Sequence, residues 1–244
     1  MISDFALNQT KKTFLTVGVD TAVGKTVFSG LFGRYIINKG ISLRLVKPLC
    51  SGGRKDIEFL AACSSVEQEK INFWYDDLPI SPAAWELRSG KKVDFEGTVS
   101  WLKDGFDSMV ECTLVEGVGG LLAPITFEHT VASLAQELSS RLIIIAQNRV
   151  GVINHVLLTL EAAISRELSV ACVILMGQEE PDASTVHNAE IIRMHMLNIH
   201  DFKGVYEFPW LGKEADNPEL MSTNVKKAKS VLEQIFDKVI NPII

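Results

Sequence analysis

Three short segments carry residues whose types and spacing suit phosphate chemistry. The first is Gly18-Val19-Asp20-Thr21-Ala22-Val23-Gly24-Lys25-Thr26, which follows the run TFLTVGV and precedes a helical pattern. A phosphate-binding loop needs that context of strand, glycine-containing turn and helix. Glycines let the backbone wrap around phosphate oxygens, and free N–H groups at the helix start point at the anion. Lys25 would reach the β- and γ-phosphates, and the Thr26 hydroxyl would ligate Mg²⁺. Five residues separate Gly18 from Gly24, one more than in the common form of this loop.

The second segment is the apolar run Cys112–Val115, which ends in Glu116 and continues as Gly117-Val118-Gly119-Gly120. An acid at a strand end beside a phosphate loop can hold Mg²⁺ directly or through water, and glycines after it let backbone come close to a ligand. The third is Leu43–Val46, which runs into Lys47-Pro48-Leu49-Cys50-Ser51-Gly52. Lys47 falls where a substrate or a γ-phosphate would lie, although a lysine at a strand end is also commonly a solvated one.

The elements that must position these groups are legible as a pattern. Short, nearly continuous apolar runs occur at Thr13–Val19, Leu43–Val46, Cys112–Val115, Leu142–Ala146, Val170–Leu175 and Val205–Phe208. Strands buried on both faces of a parallel sheet read in this way. Helical periodicity fills the intervals at Thr26–Asn38, Gly151–Glu167, Ala183–Leu197 and Asn224–Ile240. The alternation predicts one α/β domain over residues 1–244, a mostly parallel sheet with helices on both faces, like the P-loop NTPases. The Pro79–Pro82 stretch and Pro181 read as loops, and Gly52–Gly97 reads as an irregular excursion from the sheet. Ligands of such sheets sit outside the carboxyl ends of the strands.

Composition bounds the rest. The chain has 244 residues, 47% hydrophobic and 22% charged, which excludes intrinsic disorder and collagen-like structure. A net charge of −6 with no Lys/Arg run argues against nucleic-acid or anionic-membrane partners. The four cysteines, Cys50, Cys63, Cys112 and Cys172, form no C-x-x-C pair. The N-terminus has no apolar core of a signal peptide, and no apolar run is long enough to span a bilayer, so a reduced, cytoplasmic protein is expected. His187, His195 and His200 are spaced so that they do not share one helical face, and read as surface residues. Trp74, Trp85, Trp101 and Trp210 read as packing.

The set G-x-D-T-x-V-G-K-T, V-K-P-x-x-S-G, V-E-G-x-G-G and G-x-I-N-H, in this order across positions 14 to 160, resembles the dethiobiotin synthetase family. A weaker echo continues to Phe208-Pro209-Trp210-Leu211. The resemblance implies an ATP- and Mg²⁺-dependent ligase that joins CO₂ to 7,8-diaminononanoate and closes a ureido ring. It implies Lys25 and Lys47 as the catalytic cations, and Mg²⁺ held by Thr26, Asp56 and Glu116. Asp56 also opens a helical stretch, where an N-cap is the competing role. Thr21 and Ser51 would bind the diamine or its carbamate, or else satisfy their own turns. Gly151 and Asn154 would hold the far substrate carboxylate from a second subunit of a homodimer with shared sites. Asn154 alone reads equally as a cap or a surface residue, and His155 as packing. The expected nucleotide contacts are Asp20, Thr21, Ala22, Val23, Gly24, Lys25, Thr26, Val27, Glu116, Gly119 and Pro209.

Two departures from the family pattern stand out. Ala22 replaces a common glutamate. Met176 replaces the asparagine that reads adenine, leaving Gln178 as the neighbouring amide. Two rival readings share the fold. An ATP-dependent amide ligase of the cobyrinate amidation type usually carries a glutaminase domain, for which this chain has no spare length. A nucleotide-driven switch of the partitioning ATPase type carries a second lysine early in the loop, where this chain has Asp20-Thr21-Ala22-Val23.

Overall fold

The computed structural model describes residues 12–105, 109–197 and 199–244, so the reading of the N-terminus as lacking a signal peptide falls largely outside the described residues. In chain order the principal elements are β1 (Thr13–Gly18), α1 (Lys25–Asn38), β2 (Leu43–Val46), β3 (Leu49–Ser51), α2 (Lys55–Ser64), β4 (Trp74–Asp76), α3 (Pro82–Ser89) and α4 (Phe95–Asp104). They continue as β5 (Cys112–Gly120), α5 (Val131–Glu137), β6 (Arg141–Gln147), α6 (Val152–Ile164), β7 (Val170–Met176), α7 (Thr185–His195), β8 (Val205–Phe208), α8 (Met221–Lys227) and α9 (Lys229–Ile235). A six-stranded sheet has the order β2-β5-β1-β6-β7-β8, with every pairing parallel.

Alternate side chains of the central strands enter two separate cores. Ile143 and Ile145 of β6 pack with α1, α2 and the C-terminal helices, whereas Leu142, Ile144 and Ala146 pack with α4, α5, α6 and α7. Both faces of the sheet are therefore covered, which is why these strands are apolar at nearly every position. No helix among the described residues is long and apolar enough to cross a membrane.

The structure corrects several sequence-based boundaries. β5 extends past the apolar run through Glu116 to Gly120, because its ladder with β1 continues to the Gly18–Gly120 pair after an irregularity between Thr16 and Gly18. The expected helix Asn224–Ile240 is split at Ala228 and ends in a π-turn at Phe236–Ile240. The helix expected from Gly151 begins at Val152, since Gly151 is its left-handed N-cap, with φ 89°. The irregular excursion is organised: β3 and β4 form a small parallel sheet. Asn72 secures it by donating Nδ2 to the carbonyls of Lys47, Pro48 and Trp74. Pro82 is the first residue of α3, with Ser81 as its cap, rather than part of a loop.

Phe28 ties the phosphate-loop helix to the far edge of the sheet. It is fully buried, stacks on Phe32 at 5.3 Å and meets Phe208 of β8 edge-on at 5.8 Å. Truncating it removes both aromatic contacts and leaves a cavity. Phe28→Ala is expected to cost about 3–5 kcal/mol, read as a lower urea midpoint with an unchanged slope. A loss below about 1 kcal/mol would contradict this role.

Candidate active site

The loop between β1 and α1 has its shape imposed by two glycines. A Cβ on Gly18 would lie 2.3 Å from the Asp20 carbonyl oxygen, so no side chain fits there. Gly24 adopts φ 98° as the N-cap of α1, a conformation that costs an L-residue about 1–2 kcal/mol. Ala22 also lies in the left-handed region, at φ 54°. Gln147 Nε2 donates to its carbonyl at 3.1 Å and ties the loop to the end of β6. The first N–H groups of α1 have no intrahelical acceptor.

Lys25 is only 7% exposed and curls over this loop, with Nζ 3.4 Å from the Asp20 carbonyl oxygen. Burial pushes its ammonium below the ordinary lysine range; Glu116, Asp56 and Asp20 oppose the shift and Lys47 adds to it. Lys47, 6% exposed, donates to Asp56 Oδ2 at 2.5 Å and to Glu116 Oε1 at 2.6 Å. Thr26 Oγ1 donates to the same Glu116 oxygen at 2.8 Å. Burial alone would lower the Lys47 pKa, but Glu116 and then Asp56 outweigh it and hold the ammonium above the ordinary range. The N-cap of α2 is Arg54, and Asp56 lies in the first turn with its carboxylate on Lys47. The N-cap reading of Asp56 is thereby overturned.

The residues present fit a magnesium ion. Glu116 is completely buried, and its Oε2 has no hydrogen-bond partner, which is costly unless something else satisfies it. Thr26, Asp56 and Glu116 offer hard oxygen ligands of the kind Mg²⁺ takes, together with phosphate oxygens and water. No group of three or more His, Cys, Asp or Glu among the described residues could hold a metal. The protein's share of such a site would thus be two carboxylates and a hydroxyl.

Two cavities adjoin at the carboxyl ends of the strands. One of about 360 Å³ is lined by Thr21, Lys25, Thr26, Lys47, Asp56 and Glu116, with Ser51 and Gly119 at its wall. The other, of about 410 Å³, is bounded by Met176, Pro209 and Trp210. Ala22, Val23, Gly24 and Val27 line both. Trp210, 44% exposed, is therefore a cavity wall as well as a packing residue. Asp20 instead lines a third hollow with Thr21 and Gly119. Gly151 and Asn154 line none of these three. They belong to the N-terminus of α6, which is secured by the Val150 N–H on Asp182 and by Asn188 on Asn148. His187, His195 and His200 are all exposed.

Sequence reasoning missed Gln147 and Asp216. Gln147 ends β6 and lines the larger cavity, where a search of every strand end would have found it. Asp216 lines both cavities from the loop after β8; that loop has no periodicity and gives no local signal.

Comparison with known proteins bears on the family and the fold. The family model described as an AAA domain matches residues 12–222. The chain is 31% identical over 201 residues to the ATP-dependent dethiobiotin synthetase BioD of Corynebacterium glutamicum (strain R), covering 80% of this chain and 84% of that protein. It is 34% identical over 189 residues to the protein of the same name from Anaeromyxobacter sp. (strain Fw109-5), covering 74% and 84%. Among solved structures, a nucleotide-binding protein from Archaeoglobus fulgidus in complex with ADP superposes with a TM-score of 0.53 at 11% identity, covering 97% of each chain. The pNOB8 ParA structure superposes with a TM-score of 0.58 at 12% identity, covering 95% of this chain and 99% of that one. At such identities the two structures bear on the fold alone.

Two outcomes test the site's electrostatics. Lys25 and Lys47 are both nearly buried but shifted in opposite directions from 10.5. As pH rises, Lys25 loses its proton first. The stabilisation from Lys47 is full below the ordinary lysine value and is lost only above its raised one. Competitive acetylation near pH 9, read by peptide mass spectrometry, should label Lys25 before Lys47, and the reverse order would refute the assignment. Lys47→Met leaves Glu116 a buried charge without its cation, at an expected cost of about 3–5 kcal/mol in urea unfolding. Adding Glu116→Gln should recover part of that loss.

Proposed function

The chain belongs to the dethiobiotin synthetase family, and from that premise we propose that it carboxylates 7,8-diaminononanoate with CO₂ and closes the ureido ring at the expense of ATP. The observation that carries the reading is the convergence of Lys25 and Lys47, both nearly buried, with Thr26, Asp56 and Glu116 in one cavity at the strand ends.

On this proposal one substrate amine traps CO₂ as a carbamate. The carbamate oxygen attacks the γ-phosphoryl group and ADP leaves. The second amine attacks the carbonyl of the resulting mixed anhydride, phosphate leaves and the ring closes. An anion attacking a polyanion needs positive charge and alignment more than a strong base. Lys25 would hold the β- and γ-phosphate oxygens from within the loop, and Lys47 would neutralise charge between the carbamate and the transferring group. Thr26, Asp56 and Glu116 would hold Mg²⁺, which when bound neutralises charge on the same phosphate oxygens. Thr21 and Ser51, on the wall of that cavity, would orient the diamine. The second cavity would take the base, against Met176 and the Pro209-Trp210 loop.

The far carboxylate of the substrate would lie at the N-terminus of α6 in a second copy of the chain, near Gly151 and Asn154. This makes the working unit a homodimer with shared sites. Residues 1–244 are read as a single domain, since every strand of the main sheet falls within the 12–222 family match.

The test is phosphate release with diaminononanoate, bicarbonate and MgATP. Release should depend on the diamine and be matched by ring-closed product. Lys25→Met should lower kcat by about 10²–10³-fold. ATP turnover that ignores the diamine would sink the proposal in favour of a nucleotide-driven switch.

A further inference from the structure

Two amide side chains in the larger cavity are oriented alike. Gln178, just beyond β7, donates Nε2 to the carbonyl oxygens of Met176 at 2.9 Å and Gly177 at 3.0 Å. Gln147, the last residue of β6, donates Nε2 to the Ala22 carbonyl oxygen at 3.1 Å. Each amide has two N–H donors on one atom and an acceptor oxygen on the other. Turning the Gln178 amide over would set its oxygen against two carbonyl oxygens, so the network fixes its orientation. Both side chains line the cavity, and neither Oε1 receives a hydrogen bond from a described residue. Met176 adds no polarity, because its thioether packs on the phosphate loop: a Cβ on Gly24 would meet Met176 Cε at 3.0 Å.

Gln178 thus offers only its acceptor oxygen, while Gln147 keeps one N–H donor beside its acceptor oxygen. We propose that Gln178, with Gln147 beside it, selects the nucleotide by its base, taking a base whose edge presents an exocyclic amino group next to a ring-nitrogen acceptor. Adenine and cytosine meet that description. Hypoxanthine and uracil present a carbonyl oxygen at the corresponding position, which sets acceptor against acceptor and leaves the glutamine unpaired. Sites built to pair a polar group discriminate in this way, because the mismatched ligand leaves a desolvated group unsatisfied. The inference rests on the nucleotide site of the proposed function, but not on the carboxylation chemistry.

The test is titration calorimetry of the full chain with ADP, CDP, IDP and UDP in the presence of Mg²⁺. ADP and CDP should bind about tenfold tighter than IDP and UDP. In Gln178→Leu the ADP-to-IDP ratio should fall to within about threefold, while thermal unfolding and the affinity for inorganic pyrophosphate stay unchanged. A wild-type ratio near one overturns the proposal without recourse to any variant. A ratio that survives in both Gln178→Leu and the Gln178→Leu/Gln147→Leu double variant overturns it as well. Base ranking with no diamine-dependent turnover would sink the carboxylation reading and leave this one standing. Diamine-dependent turnover without base ranking would do the opposite.

Discussion

The Lys47 ammonium, held between Glu116 and Asp56, joins four elements at one point. It follows β2, while Glu116 belongs to β5, Asp56 to α2, and Thr26, bonded to the same Glu116 oxygen, to α1. Removing an ammonium and a carboxylate from water costs several kcal/mol per ion, and their attraction recovers it only when the geometry is good and the other lone pairs are used. Here one Glu116 oxygen is used twice and the other not at all. A core built for stability alone would hold apolar side chains at these positions. The cluster makes physical sense as machinery for a ligand that brings both negative charge and a cation.

The strand order explains how that machinery comes together. With β1 between β5 and β6, the phosphate loop leaves the sheet with Glu116 on one side and Gln147 on the other. One strand further out, β2 delivers Lys47 and β7 delivers Met176. The cavity containing Lys25 and Lys47 therefore lies on the β5–β2 side, and the one bounded by Met176 and Pro209 on the β6–β7 side. A reversal of strand order on either side of β1 opens such a crevice in doubly wound sheets. Global charge has little bearing here: a chain of −6 can hold a small polyanion with two nearby lysines and a helix N-terminus.

What the sequence disclosed follows from how local each feature is. The phosphate loop, Lys47 and Glu116 were legible because each sits at the end of a buried strand, and such strands write continuous apolar runs. The extension of β5 to Gly120 was not, because glycines carry no hydrophobic signal and the ladder with β1 decides where the strand stops. The break at Ala228 was hidden too, since its neighbours keep helical periodicity and only the packing of α8 and α9 reveals two segments. Asp56 was ambiguous because it opens a helical stretch, where an acid reads as a cap as readily as a metal ligand; Arg54 is the N-cap of α2, and the Asp56 carboxylate lies on Lys47 instead. Asp216 reaches both cavities through a loop whose path depends on contacts distant in sequence.

Met176 shows why the polarity of the larger cavity has to come from elsewhere. At the end of β7 its side chain is committed to the phosphate loop, filling the space beside Gly24 that a Cβ would enter. Gly24 is fixed in turn by its positive φ as the N-cap of α1. A short polar side chain at position 176 would give up the thioether's contact with the loop, and a longer one would press on Gly24. The hydrogen-bonding groups are accordingly carried one strand over, at Gln147, and two residues on, at Gln178. Gln178 spends both N–H donors on backbone carbonyls and Gln147 spends one of its two, and one of those carbonyls is that of Met176 itself. The loop that would grip phosphate and the wall that would meet the base are thus one packed unit, and a change of side chain at 176 would be felt in both cavities.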